Sequence, residues 1–92
     1  MKQMKRGRLD TVIEVLEALR EGSPAKRADI MTRANVNHKA VMLYLGMLEA
    51  SGLIGSVPAE DFRVHGQYLL TQKGSDFLYT VRQALNLLTV QG

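Results

Sequence analysis

The chain has 92 residues, 46% of them hydrophobic, which is enough for one compact domain but not for a second hydrophobic core. It contains no cysteine, so disulfides and thiolate metal sites are excluded and an intracellular, cytoplasmic location is expected. No apolar run approaches the roughly 18 residues of a membrane-spanning helix, and the net charge of +3 gives weak support for a polyanionic partner.

A basic arm at residues 1–8 is followed by a predicted first helix. The arm contains no acidic residue and is typical of either a solvated chain end or a nucleic-acid contact, so both interpretations stay open. Helical spacing of apolar residues predicts the helix, and Gly22 is placed to end it. The cationic residues of the arm are Lys2, Lys5, Arg6 and Arg8. The apolar residues of the helix are Leu9, Val12, Ile13, Leu16 and Leu19.

Two more helices, joined by a tight turn, are predicted before residue 52. Ser23 as a cap, with Pro24 at the first helical position, predicts a short helix that ends at about Arg33. Asn37 can cap the third helix, which is predicted to end at Ser51. The predicted buried stripe of this third helix is Val41, Leu45 and Leu48.

A two-stranded hairpin and a final helix complete the predicted order. The runs 53–57 and 67–70 are predicted as strands, joined by a loop whose ends are marked by Pro58 and Gly66. Thr71 is predicted to cap a final helix with a broad apolar face. The expected fold class is therefore mainly α with a small β-hairpin wing, formed by three helices, a two-stranded wing and a C-terminal helix.

Two segments of the sequence resemble winged helix-turn-helix DNA-binding proteins. Residues 35–54, NVNHKAVMLYLGMLEASGLI, contain a turn hydrophobe, a capped helix and the pattern Leu, Glu, x, x, Gly, Leu, Ile. Residues 68–74, YLLTQKG, resemble the last wing strand and the entry to the final helix. The segment 26–54 and the helical tail are most similar to the small archaeal winged-helix regulators, including the chromatin-associated type of about ten kilodaltons. The resemblance implies binding of double-stranded DNA.

The expected organisation is a basic arm at 1–8, a winged helix-turn-helix domain at 9–71, and a C-terminal dimerisation helix at 72–92 that packs on the same domain. The resemblance implies dimerisation through an antiparallel coiled coil, although the last helix is short here. The apolar stripe of that helix either covers the domain's own core or meets a second copy of the chain. The stripe consists of Phe77, Leu78, Val81, Ala84, Leu85 and Leu88.

The helix-turn-helix surface is predicted to be locally positive, with helix 37–51 in the major groove. Asn37 is predicted either to cap the helix or to bind a base edge or a phosphate. His38 could also bind a base edge or a phosphate. Only Asp29 opposes the cationic residues of this surface. The predicted phosphate contacts are Lys26, Arg27, Arg33 and Lys39.

Apolar residues on the third helix and charged residues in the wing leave alternatives open. Met42 and Leu43 cannot make bidentate base contacts, so they touch thymine methyl groups, form a protein interface, or are simply exposed. Arg63 and His65 of the wing suit a minor-groove or phosphate contact. Glu60 and Asp61 beside them would be repelled by the same phosphates, so both outcomes stay open.

The sequence carries no enzyme signature. The two histidines are far apart, and there is no glycine-rich phosphate loop and no Ser/His/Asp set. No cofactor, metal, membrane partner or small-molecule ligand is predicted. The predicted function is that of a homodimeric, nucleoid-associated DNA-binding protein, either a transcription regulator or a chromatin-type architectural binder. The alternative is a winged helix used as a protein-interaction module, which the apolar residues Met42, Leu43 and Met47 favour.

Overall fold

The element order follows the predicted one, with an added strand before the second helix. The computed structural model describes residues 7–58 and 66–90. These form α1 (Arg8–Glu21), β1 (Ala25–Lys26), α2 (Arg27–Ala34), α3 (His38–Ala50), β2 (Ile54–Val57), β3 (Gln67–Leu70) and α4 (Gln72–Val90). The three strands form one antiparallel sheet in the order β1-β3-β2. The predicted fold class, mainly helical with a small wing, is confirmed.

Helix α1 lies at the centre of the molecule, in contact with α2, α3, α4 and β3. The Asp10 carboxylate accepts a hydrogen bond from the Gly7 N–H at 3.2 Å and so satisfies a free donor before the first turn. Because neighbours cover more than one side of α1, its buried residues extend beyond the predicted stripe. They are Thr11, Val12, Val15, Leu16, Ala18 and Leu19. Leu9, one of the apolar residues whose spacing predicts this helix, is 48% exposed.

Residues 23–26 correct the prediction of a helix that begins at Pro24. The Ser23 hydroxyl donates to the Leu19 carbonyl at 2.8 Å and accepts from the Leu70 N–H at 3.1 Å, so it joins the end of α1 to β3 and does not cap α2. The chain then forms β1, and α2 begins only at Arg27. Strand β1 pairs Ala25 with Tyr68 and Lys26 with Gln67. The sheet therefore has three strands, whereas two were predicted.

The cap and the buried stripe predicted for α3 are both confirmed. The Asn37 side-chain oxygen accepts a hydrogen bond from the Ala40 N–H at 2.8 Å. The turn before it contains Asn35 in the left-handed conformation, at φ 56°, which asparagine tolerates better than most residues. The buried residues of α3 are Val41, Leu45 and Leu48, as predicted.

Helix α4 begins at a close joint with the end of α3 and the start of β2. The Thr71 hydroxyl accepts from the Gly74 N–H at 3.0 Å, which confirms Thr71 as the cap of this helix. The same hydroxyl lies 2.7 Å from the Gly52 carbonyl oxygen and 2.9 Å from that of Leu53. No helix within the described ranges is long and apolar enough to cross a membrane.

Candidate nucleic-acid interface

The outer face of α3, opposite its buried stripe, is exposed. Because Val41, Leu45 and Leu48 face the core, helical geometry turns Lys39 and Leu43 to the opposite side. The exposed fraction of Leu43 is accordingly 62%. Two methionines flank this face, Met42 at 44% and Met47 at 38% exposed.

Cationic residues gather where the starts of α2 and α3 meet the sheet. A cleft of about 290 Å³ lies there, and none of its lining residues is acidic within the described part of the chain. The first turn of α3 also contains no acidic residue, whereas α2 has the exposed Asp29 in its first turn. The lining residues are Lys26, Arg27, Ala28, Met31, His38, Gly66 and Tyr68. We call the surface formed by Lys26, Arg27, His38, Lys39, Met42 and Leu43 the recognition surface.

A contact between α2 and α3 orders this surface. Nη1 of Arg27 lies 3.3 Å from Sδ of Met42, so the guanidinium extends from the start of α2 to the middle of α3. The sulfur is a weak acceptor, and the other guanidinium donors stay available for a second acceptor. The structure therefore brings Arg27, His38 and Met42 onto one surface, as the helix-turn-helix interpretation requires.

The side chain of Asn37 is used inside the protein. Its oxygen is the α3 cap described above, which satisfies one of the backbone N–H groups left free at the start of the helix. Only the side-chain NH₂ is then left to donate to a base or a phosphate. The structure therefore supports the predicted capping role of Asn37 with a direct hydrogen bond.

Arg33 has a structural role that the sequence analysis missed. Its Nη1 donates to the carbonyl oxygens of Ala18, at 3.0 Å, and Gly22, at 2.9 Å. A cation is favoured at that place because the C-terminal carbonyls of α1 lack intrahelical partners. Lys73 likewise donates to a carbonyl at the end of α3, with Nζ 2.8 Å from the Ser51 carbonyl oxygen. The spacing of residues within α2 cannot predict the contact of Arg33, because that contact depends on how α2 packs against α1.

Several predicted contact residues lie outside the described residues. These are Arg63 and His65 of the wing, together with Lys2, Lys5 and Arg6 of the basic arm. The last residue of that arm, Arg8, is the first residue of α1.

The stripe of α4 divides into an inner part and an outer part. Leu78 is 1% exposed in the core, Phe77 packs against that core, and Val81 is half-buried. Beyond them Ala84, Leu85 and Leu88 are exposed, the last of them at 70%.

Ion pairs and a shallow cleft show how α4 is oriented relative to α1. Glu17 of α1 pairs with Arg20 at 2.9 Å and with Arg82 of α4. One turn away, Ile13 and Leu85 line a cleft of about 220 Å³. Because Glu17 pairs with Arg82 whereas the earlier Ile13 shares a cleft with the later Leu85, the two helices run antiparallel.

Comparisons with known proteins agree with this architecture. A family model described as winged helix-turn-helix matches residues 5–89. No curated protein matches the sequence. Solved structures that share the fold include the following three. BpsR of Bordetella bronchiseptica, whose DNA binding is regulated by 6-hydroxynicotinic acid, superposes with a TM-score of 0.77 at 18% identity over 88% of this chain. This chain spans 61% of the length of BpsR.

The other two structures are matched over most of their own length. A PadR family transcription regulator from Clostridium difficile R20291 has a TM-score of 0.76 and 20% identity, with 86% of this chain and 90% of that chain covered. Sso10a-2, a DNA-binding protein from Sulfolobus solfataricus, has a TM-score of 0.71 and 21% identity, with 94% of this chain and 90% of that chain covered. At these identities the likeness shows the fold.

Proposed function

This chain belongs to the winged helix-turn-helix family, and we propose on that premise that it is a double-stranded DNA-binding protein that acts as a transcription regulator. In the proposed complex α3 enters the major groove and the recognition surface contacts the DNA. The names of two structural neighbours, a PadR family transcription regulator and the DNA-binding protein Sso10a-2, support the proposal.

One observation carries the proposal: the starts of α2 and α3 bring basic side chains together on one surface. Lys26 and Arg27 line it from the α2 side and His38 from the α3 side, while Lys39 is exposed beside them. Like charges brought together on a surface repel one another, and a phosphate backbone removes that repulsion while counterions are released from the DNA. We leave Arg33 out of the proposed contacts because its guanidinium is bonded to α1.

The outer part of the α4 stripe supports a homodimer. Leu85 and Leu88 are exposed on a helix whose inner residue Leu78 already fills the core. An apolar strip at the end of a helix is stabilised when a second copy of the same strip covers it. The proposed interface therefore consists of Val81, Ala84, Leu85 and Leu88, with Phe77 and Leu78 assigned to the core of the domain. A two-fold dimer would place two recognition helices about one DNA turn apart.

The test is a fluorescence-anisotropy titration of duplex DNA at several salt concentrations, with two variants that each lower the net charge by one. Lys39→Gln changes the recognition surface, and Gln83→Glu changes an exposed position on α4. We expect Lys39→Gln to weaken binding to all duplexes and to reduce the slope of log Kobs against log salt by about 0.9 for each protomer that contacts the DNA, which is about 1.8 for the proposed dimer. Gln83→Glu should leave that slope unchanged.

A second function is tested by the same titration. The exposed Met42, Leu43 and Met47 also suit a protein partner, which is the use of a winged helix as a protein-interaction module. If the wild-type protein binds no duplex even at low salt, DNA binding is excluded and the interaction module becomes the preferred function. If Gln83→Glu and Lys39→Gln weaken binding equally, the DNA does not contact the recognition surface.

A further inference from the structure

The centre of the recognition surface is apolar although its edges are cationic. Leu43, 62% exposed, and Met42, 44% exposed, lie about one helical turn after the exposed Lys39 on α3. Their exposure shows that the core does not need them, since the core is filled from α3 by other residues. Exposed apolar side chains bordered by cations suit a partner that is itself both anionic and apolar.

Among residues 7–58 and 66–90, none covers this apolar centre from the outside, and Leu43 stays 62% exposed. Leu43 points away from the core, and one turn later Gly46 has no other atom within 4 Å of where its Cβ would lie. Met42 is touched on its flank by the Arg27 guanidinium, at 3.3 Å. The apolar centre is therefore open towards the partner and bordered by Arg27 and Lys39, a pattern that fits a groove whose walls carry phosphates.

We propose that Leu43 and Met42 read the C5-methyl groups of thymine, so that this chain prefers A·T-rich major grooves; the inference rests on the proposed DNA binding. Thymine is the base that displays an apolar methyl group in the major groove. A leucine side chain has no donor or acceptor, and a thioether sulfur is only a weak acceptor, so neither makes the bidentate hydrogen bonds that distinguish guanine or adenine. Apolar contact with a methyl group is the readout that these two side chains can perform.

The expected size of the effect follows from the burial of a methyl group. Removing one methyl from such a contact should weaken binding by about fourfold. Replacing every thymine of a duplex by deoxyuridine removes the methyl groups and leaves the hydrogen-bonding groups of the bases in place. Replacing cytosine by 5-methylcytosine in a G·C-rich duplex adds a methyl group at the corresponding position of the groove.

The experiment is an anisotropy competition with duplexes of about 20 base pairs, long enough for two half-sites one turn apart. An A·T-rich duplex is compared with its deoxyuridine form, and a G·C-rich duplex with its 5-methylcytosine form. For the wild-type protein we expect the thymine form to bind about fourfold or more tightly than the uracil form, and methylated cytosine to bind more tightly than cytosine.

Two variants assign the effect to α3. Leu43→Ala removes the exposed side chain and should bring the thymine-to-uracil ratio towards one. Leu87→Ala removes a leucine of similar exposure, 68%, from α4 and should leave the ratio unchanged. Thermal unfolding of both variants checks that the fold is retained.

Each other outcome has a distinct meaning. Equal binding of the thymine and uracil duplexes by the wild-type protein overturns the methyl readout and leaves the proposed DNA binding intact. A ratio that persists when Leu43 and Met42 are both replaced by alanine assigns the preference to the shape of the DNA and also overturns the inference. Absence of binding to every duplex overturns the proposed function and this inference together.

Discussion

Two glycines inside helices lie in opposite surroundings, and they represent two different regions of the molecule. At Gly74, in the first turn of α4, an added Cβ would lie 2.0 Å from the Leu53 carbonyl oxygen. At Gly46, in the middle of α3, it would meet no atom within 4 Å. The joint around Gly74 is therefore determined by contacts within the chain. The outer face of α3 at Gly46 has no such contact with the described residues.

The same contrast holds for cations and for leucines. Arg33 is bonded to the end of α1, whereas Lys39 is exposed on the recognition surface. Leu78 fills the core, whereas Leu88 is 70% exposed on the same helix. Residues of the same type therefore contribute either to stability or to binding, depending on whether they contact the rest of the chain or are exposed. Substitutions at the internal positions should change the free energy of unfolding, and those at the external positions should change affinity.

The largest effect is expected for Gly74→Ala. The Leu53 carbonyl cannot move away without breaking its hydrogen bond with the Thr71 N–H, at 3.2 Å. We expect the free energy of unfolding to fall by more than about 4 kcal/mol, enough to unfold a marginally stable domain. Circular dichroism during thermal or urea unfolding measures it. Ser75→Ala, at the exposed neighbouring position, serves as the control; a Gly74→Ala variant as stable as this control would contradict the close approach.

The next effect concerns self-association through α4. Leu88→Lys places a charge in the proposed dimer strip on both copies, and we expect the dimer dissociation constant to rise by about 100-fold or more. Leu87→Lys is a matched control, because Leu87 is 68% exposed but lies on another side of α4. Sedimentation equilibrium gives the constants. Equal association of both variants, or a monomeric wild-type protein, would refute the strip as the dimer interface.

Long periodic segments explain why most of the fold was predictable from the sequence. The apolar spacing of α3 predicted its buried residues, and Asn37 and Thr71 were identified as caps because each precedes such a segment. The strand at Gln67–Leu70 has the predicted bounds. The exposed positions on α3 were predictable as well, because the buried stripe of a helix determines which residues lie on its opposite face.

Features that depend on distant contacts were not predictable in this way. Strand β1 has two residues, too few for any periodicity, and its partner β3 is far away in sequence. The Ser23-Pro24 pair is typical of a helix start, but the Ser23 hydroxyl is bonded to α1 and β3. Arg33 was predicted on the DNA-contacting surface because it is cationic, whereas the packing of α2 on α1 determines where its guanidinium binds.

A smaller effect on stability is expected at Arg33. Arg33→Met keeps the aliphatic length but removes the donors to the Ala18 and Gly22 carbonyl oxygens. We expect a loss of about 1–2 kcal/mol in the free energy of unfolding, and little change in the salt dependence of DNA binding. Lys39→Met is the control and should show the reverse, with stability within about 0.5 kcal/mol of wild type. Weaker DNA binding by a folded Arg33→Met, with unchanged stability, would return Arg33 to the interface.

The smallest effect, and the one that separates the two regions most directly, is expected for Gly46→Ala. The added Cβ has open space around it, and alanine is favoured over glycine inside a helix by about 1 kcal/mol, so the free energy of unfolding should rise by about that amount. The same substitution that disrupts the joint at Gly74 therefore stabilises the protein here. A decrease in stability would mean that α3 is not open at this position.

The affinity of Gly46→Ala for duplex DNA then tests how closely α3 approaches the groove. If the DNA backbone or a base edge comes within contact distance of Gly46, the more stable variant should bind more weakly than wild type, because the methyl group occupies that space. If the approach is limited to the first two turns, around Lys39 and Leu43, affinity should be unchanged. Anisotropy titrations at one salt concentration distinguish the two, since the substitution leaves the charge of the protein as it was.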